Sequence, residues 1–144
     1  MRRVSRGLFC SIALASAVAA GVGLNAQAAA PGAVPPEARK MKSPAASSPA
    51  SIEAGSQLYQ KYCRFCHGNT GKGDSAMAPK TMQPSNLADA QWTRGSSEGE
   101  IFWVIQNGAP PKYDMKGLKG KVADADIWNI VNFVRSLGGV AKSP

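Results

Sequence analysis

Five consecutive residues, Cys63-Arg64-Phe65-Cys66-His67, constrain this chain more than any other stretch of its sequence. His67 is its one histidine, and the third cysteine, Cys10, stands far away near the N-terminus. Those absences sort the chemistries that a C-x-x-C pair can serve. A zinc site would need further Cys or His ligands, and none remains. A redox-active C-x-x-C belongs in a thioredoxin-like strand–helix–strand setting, and no long alternating run announces a sheet here. A structural disulfide between residues three apart is geometrically poor and leaves the adjacent histidine without a role. What fits is C-x-x-C-H, the haem-attachment pattern. On a helix that continues through the motif, Cys63, Cys66 and His67 stand at i, i+3 and i+4 and share one face. Both thiols can then add to the two vinyl groups along one edge of a haem, while the imidazole beside them reaches the iron. A covalent tether also prevents cofactor loss in a protein with no cytoplasmic resupply.

The 144 residues leave room for one ordinary domain of roughly 100–150 residues with attachments. Hydrophobic residues make up 44% and aromatics only 7%, and much of the apolar share is alanine ahead of residue 50. Large side chains to fill a core are therefore scarce, and a bound haem would be the missing centre.

Residues 1–28 read as a secretory signal peptide. Arg2, Arg3 and Arg6 precede an apolar, Ala-rich run from Leu8 to Leu24, and Ala26-Gln27-Ala28 offers an A-x-A cleavage site. The alternative is an uncleaved membrane anchor, but the run is shorter than the roughly 20 residues that span a bilayer and it contains Gly21 and Gly23. Cys10 lacks lipoprotein-type small residues before it, and Arg2-Arg3 lacks the surroundings of a twin-arginine signal. Residues 29–50 are Ala, Pro and Ser with Arg39, Lys40 and Lys42 and almost no large hydrophobes, so a linker or disordered tail is expected there. The haem domain is expected over residues 51–144. Of the net +8, three arginines belong to the signal; fourteen basic against nine acidic residues remain, a net +5. So modest a charge on an exported chain argues against nucleic acid as a partner, and tight membrane insertion is not expected after cleavage.

Apolar spacing places helices over residues 52–62, 98–106 and 124–137. The first carries Leu58, Tyr59 and Tyr62, with Gly55 four residues before Tyr59; an interior glycine costs up to about 1 kcal/mol against alanine, so another element is expected to approach closely there. In the second, Ser97 and Glu100 make a capping box, Asn107-Gly108 and Pro110-Pro111 end the helix, and Ile101, Phe102, Val104 and Ile105 supply its buried face. The third opens with Asp124 and Asp126 at the positive end of its dipole and buries Ile127, Ile130, Val131 and Val134. The fold class is therefore all-α, three main helices with long loops. Residues 68–92 lack any regular pattern, uncommon in a small domain unless the segment wraps something.

With these features in this order, the chain resembles the class I cytochrome c family in its small, exported bacterial mono-haem form. The resemblance covers about residues 52–137: Gly55 and Tyr59 ahead of Cys63-x-x-Cys66-His67-Gly68, a Gly-rich loop, the segment 101–108, a methionine loop and a closing helix over 128–137. It implies the cytochrome c fold wrapped around one covalently attached haem c per chain. It also implies that the first and last helices cross closely, so that Gly55 and Tyr59 meet Ile130 and Phe133.

The iron's second axial ligand, besides His67, is then expected to be a methionine, which raises the reduction potential. Met41 lies in the linker. Met77 and Met82 follow His67 so closely that their loop would have little left to wrap the haem edge, and they read as gap-filling core residues. Met115 sits in a loop launched by Gly108 and Pro110-Pro111, where the family places its ligand, with Met82 a distant second. The family's usual acceptor for the His67 N–H is a proline carbonyl, and Pro79 and Pro84 both fit. Trp92 or Tyr113 is a candidate donor to a haem propionate, and each serves equally as plain core. Iron closed by His67 and Met115 implies a single-electron carrier, not an enzyme, working between periplasmic or membrane redox proteins; a monomer is the expected state. Lys112, Lys116, Lys119 and Lys121 surround Met115 and would steer partners with acidic docking surfaces, unless they are simply solvated. The competing class is a haem-based enzyme or small-ligand sensor with a displaceable sixth ligand.

Overall fold

Two of the helices begin where a serine caps them. In the computed structural model, which describes residues 33–138, Ser48 accepts from the Ser51 N–H at 3.2 Å and Pro49 fills the first helical position. Helix α1 therefore spans Pro49–Tyr62, starting earlier than its apolar spacing alone suggests. At Cys63 the backbone turns to φ −116°, ψ −38°, and the chain resumes as the single turn α2, Arg64–His67. The Cys63 carbonyl accepts from the N–H groups of both Cys66 and His67, at 3.1 and 3.0 Å, so the motif residues share one turn despite the break. Helix α3, Glu98–Asn107, carries the expected capping box in both directions and stops at Gly108, whose φ of 98° only glycine adopts freely. Helix α4, Asp124–Ser136, opens on two acidic residues without a side-chain cap. Among the described residues there is no strand, only an isolated bridge between Gly108 and Lys116. The all-α expectation holds; the signal-peptide segment lies outside the described residues.

Helices α1 and α4 form the crossing that Gly55 foreshadowed. A Cβ on Gly55 would collide with the Asn129 carbonyl oxygen and stand 2.9 Å from the Phe133 Cβ. One turn on, the Tyr59 and Phe133 rings lie 5.0 Å apart. The expected Phe133 contact is there, while the backbone of Asn129, rather than Ile130, is what faces Gly55. A polar latch closes the seam: Ser51 Oγ donates to Asn129 Oδ1 at 2.6 Å and accepts from Asn132 Nδ2 at 2.8 Å. Helix α3 packs on α4 through stacked Phe102 and Trp128 rings, 4.1 Å between centroids. Tyr59, Ile127, Ile130 and Val131 are fully buried at the centre.

The linker expectation for residues 29–50 needs correction from Pro36 onward. Residues Pro36–Lys40 form a 3-10 helix packed on α3, and Ala38 is fully buried. Gly99 makes the seat: a Cβ there would collide with the Ala38 carbonyl oxygen and stand 2.6 Å from the Met41 Cβ. Arg39 Nε meets Glu100 Oε1 at 3.2 Å, and Lys42 Nζ lies 3.6 Å from Glu98 Oε1. Composition misled because one small residue docked in one glycine-lined seat, helped by a buried carboxylate, does not require a run of large hydrophobes.

Candidate haem site

A cavity of about 450 Å³ lies between α1, α3, α4 and three loops, around residues 82–87, 91–95 and 109–118. Ile101, Ile105, Ile130 and Val134 give it apolar walls; Cys63, Cys66, His67 and Met115 all line it. The volume falls within the roughly 300–1,000 Å³ of cofactor and small-molecule sites.

His67 is buried, and its Nδ1 lies 3.0 Å from the Ser85 carbonyl oxygen. In the tautomer this contact favours, Nδ1–H donates and Nε2 keeps its lone pair, the arrangement by which a backbone carbonyl orients a metal-binding imidazole. Burial holds the ring's pKa below its ordinary value, against the opposing effect of the Ser85 bond, so the imidazole is neutral and able to ligate near neutral pH. The acceptor is neither of the two expected prolines, and the reason is local. The Pro84 carbonyl faces Gly73, where a Cβ would strike it, and the Pro79 carbonyl accepts the Met82 N–H at 2.8 Å. Leu87 N–H bonds Gly71 O at 2.6 Å, pinning this segment to the glycine loop after the motif, and the next free carbonyl, that of Ser85, meets the ring.

Behind His67, the Tyr59 hydroxyl donates to the Gly68 carbonyl at 2.7 Å, and the His67 carbonyl accepts from Gly73 N–H at 2.8 Å. Burial pushes the Tyr59 phenol well above its usual range, with Cys63 and Asp74 adding to the effect, so it stays a donor. Cys63 and Cys66 are free and partly buried. Burial pushes the Cys63 thiol up to about 12, with Cys66 nearby adding to it. A thiol so raised is protonated near neutral pH.

Met115 is half-buried in a loop folded back on itself. Ala109 N–H bonds Met115 O at 3.0 Å, Tyr113 N–H bonds Ala109 O at 2.8 Å, and Leu118 and Lys119 N–H bond the last carbonyls of α3, those of Ile105 and Gln106, at 2.9 Å each. Of the other methionines, Met82 also lines the cavity, but from the segment that supplies Ser85 to His67. Met77 is 63% exposed, which corrects its reading as a core residue. Met41 packs beside Gly99. Trp92 lines the cavity while its ring N–H donates to Asp89 O at 3.0 Å, so that donor already has a protein acceptor. Ser85 and Arg94 were not singled out in the sequence; a carbonyl acceptor and a lone loop arginine carry no motif.

The donor set suits haem c: two thiols and an imidazole from one turn of chain, an apolar chamber, and a thioether on a separate loop. Relatives agree. Over 93 residues the chain is 35% identical to the cbb3-type cytochrome c oxidase subunit FixPc of Rhizobium leguminosarum bv. viciae, which covers 65% of this chain and 30% of that protein. It is 33% identical over 86 residues to cytochrome c6 of Gracilaria tenuistipitata var. liui, covering 59% of this chain and 71% of the relative. The solved structure of cytochrome cL from Methylophaga aminisulfidivorans superposes with a TM-score of 0.51 at 25% identity, over 60% of this chain and 55% of that one. The chain thus spans about a third of the length of the oxidase subunits it matches. Residues 50–134 match the family described as cytochrome C oxidase, cbb3-type, subunit III. With its all-α fold and its C-x-x-C-H turn, the chain belongs to that family and is a c-type cytochrome.

Proposed function

We infer that this domain is a single-electron carrier holding one haem c. Cys63 and Cys66 would form the two thioether bonds, His67 would bind the iron through Nε2, and Met115 would supply the second axial ligand. Bound there, haem c supplies a one-electron ferric/ferrous couple. The protein's part is to hold both iron ligands and keep water out. The Ser85 carbonyl fixes the ring plane of His67, and the main-chain bonds of the 105–119 segment hold the Met115 loop. Apolar walls from Ile101, Ile105 and Ile130 lower the local dielectric. With His67 and Met115 both holding the iron, no open position would be left for a substrate, so the reading is a carrier and not an enzyme.

The observation that carries this reading is the pairing of a carbonyl-oriented His67 with Met115 on the walls of one cavity. Lys112, Lys116 and Lys121 also line it, and would steer acidic redox partners toward the cavity. Similarity to an oxidase subunit and to cytochrome c6 supports partners that are redox proteins. The signal-like residues 1–28 support export to the periplasm and cleavage; among the described residues no helix is long and apolar enough to cross a membrane.

A redox titration of the purified protein, followed by visible spectra, tests the reading. The wild type should give one one-electron wave with low-spin His/Met spectra. Met115→Ala should lose the far-red thioether-to-iron band and bind carbon monoxide readily. Retention of that band in Met115→Ala would refute Met115 as the ligand.

A further inference from the structure

Arg94 sits in the loop ahead of α3, yet its side chain is committed to the opposite loop of the cavity. Its Nε–H donates to the Pro110 carbonyl at 2.8 Å, sixteen residues along the chain, while Nη1 donates to Thr93 Oγ1 at 3.3 Å. Arg94 also lines the cavity that Met115 lines. Pro110 is buried at the opening of the Met115 loop, where the chain leaves α3 through Gly108 and Ala109.

The main-chain bonds of this loop fix its shape and tie it to the end of α3. None of those bonds is made by Pro110 or Pro111. Pro110 and Pro111 have no N–H to give, so their stretch cannot be held by its own amide donors and must be held through a carbonyl. Arg94 meets that need with a charged donor whose planar fork, steadied by Thr93, sets direction as well as distance. Its backbone is placed independently of the Met115 loop, just ahead of the Ser97–Glu100 capping box that fixes the start of α3.

We propose that Arg94 is the positioning residue for Met115: by holding Pro110 it keeps the Met115 loop closed over the cavity and so keeps the thioether at the iron. The inference rests on the reading of Met115 as an axial ligand. Loss of the Arg94–Pro110 bond shifts the loop toward an open arrangement in which an external ligand takes the vacated position. Apparent affinity for that ligand scales with the open fraction, so a lost charge-assisted bond should raise it about tenfold or more.

The experiment is an imidazole titration of the ferric holoprotein, read by the thioether-to-iron band, on wild type, Arg94→Gln, Arg94→Lys and Ser51→Ala. Arg94→Gln should bind imidazole at least about tenfold more tightly than wild type. Arg94→Lys, which keeps the charge and loses the fork, should fall between them and decides the matter where the glutamine variant fails to load haem. Ser51→Ala breaks the α1–α4 latch; it should lower the unfolding midpoint and leave imidazole affinity unchanged, separating loop positioning from general loss of stability. Wild-type affinity in both Arg94 variants overturns the proposal alone. A wild type without the band, or a band that survives Met115→Ala, removes the ligand reading and the proposal with it.

Discussion

Gly55→Ala tests the helix crossing that carries the cavity. In an exposed helix this change would stabilise by roughly 0.5–1 kcal/mol, because alanine loses less backbone entropy than glycine. Here the added methyl would strike the Asn129 carbonyl oxygen, with the carbonyl carbon at 2.5 Å and the Phe133 Cβ at 2.9 Å. Two obstacles are α4 main chain and the third is a Cβ, so no rotamer change makes room. Carbon atoms prefer separations of about 3.5–4.0 Å, so the helices must part by roughly 1 Å. Parting them strains the Tyr59–Phe133 contact and both bonds of the Ser51 latch. Overpacking costs about 1–3 kcal/mol, and the rigid obstacle places this site at the upper end. Adding about 1 kcal/mol for weakened hydrogen bonds and subtracting the helix gain leaves a net loss of about 3 kcal/mol. For a domain of this size that lowers Tm by about 12–24 °C. Thermal and denaturant unfolding of the holoprotein, followed by far-UV circular dichroism, measures it. A variant within about 0.5 kcal/mol of wild type, the usual range of a neutral surface change, would refute the close crossing.

Two further substitutions probe the supports of the site. Tyr59→Phe leaves the buried Gly68 carbonyl without its donor and should cost about 1–3 kcal/mol in denaturant unfolding; an unchanged midpoint would mean that the carbonyl has found another partner. Glu100 concerns pH. Burial alone would raise its carboxyl, but the bonds from the Ser97 hydroxyl and N–H and from Arg39 outweigh it and hold the carboxyl below the ordinary range. A depressed carboxyl contributes stability that is fully present above its unfolded-state pKa of about 4.3 and is lost as pH falls through the lower folded value. Glu100→Gln should therefore be less stable than wild type at pH 7, and the gap should close at acidic pH; a gap independent of pH would contradict this account.

What the sequence made legible follows from how local each signal is. The C-x-x-C-H turn, the Ser97–Glu100 capping box and the Asn107-Gly108 stop are complete within a few residues, and each stands where expected. Gly55 was readable as a close approach because glycine inside a helix has a cost that something must offset. The misses depend on distant partners. Ser85 became the acceptor of the His67 N–H because the Pro84 carbonyl is packed against Gly73 and the Pro79 carbonyl accepts the Met82 N–H. The break at Cys63 and the role of Arg94 are likewise set by where other segments end up. The docked Pro36–Lys40 helix escaped because its seat is a glycine on α3, and composition within the segment carries no trace of it.

That docked helix lies ahead of the stretch matched by the family, residues 50–134. A free chain over residues 29–50 would act as a leash with an end-to-end reach of about 25 Å, letting the domain tumble about α1. With Ala38 seated on Gly99, the pivot moves to Pro36 or ahead of it, beside the first turn of α3. Whatever precedes Pro36 therefore meets a fixed point of departure on the domain. The heading of the cavity relative to that point is built into the fold.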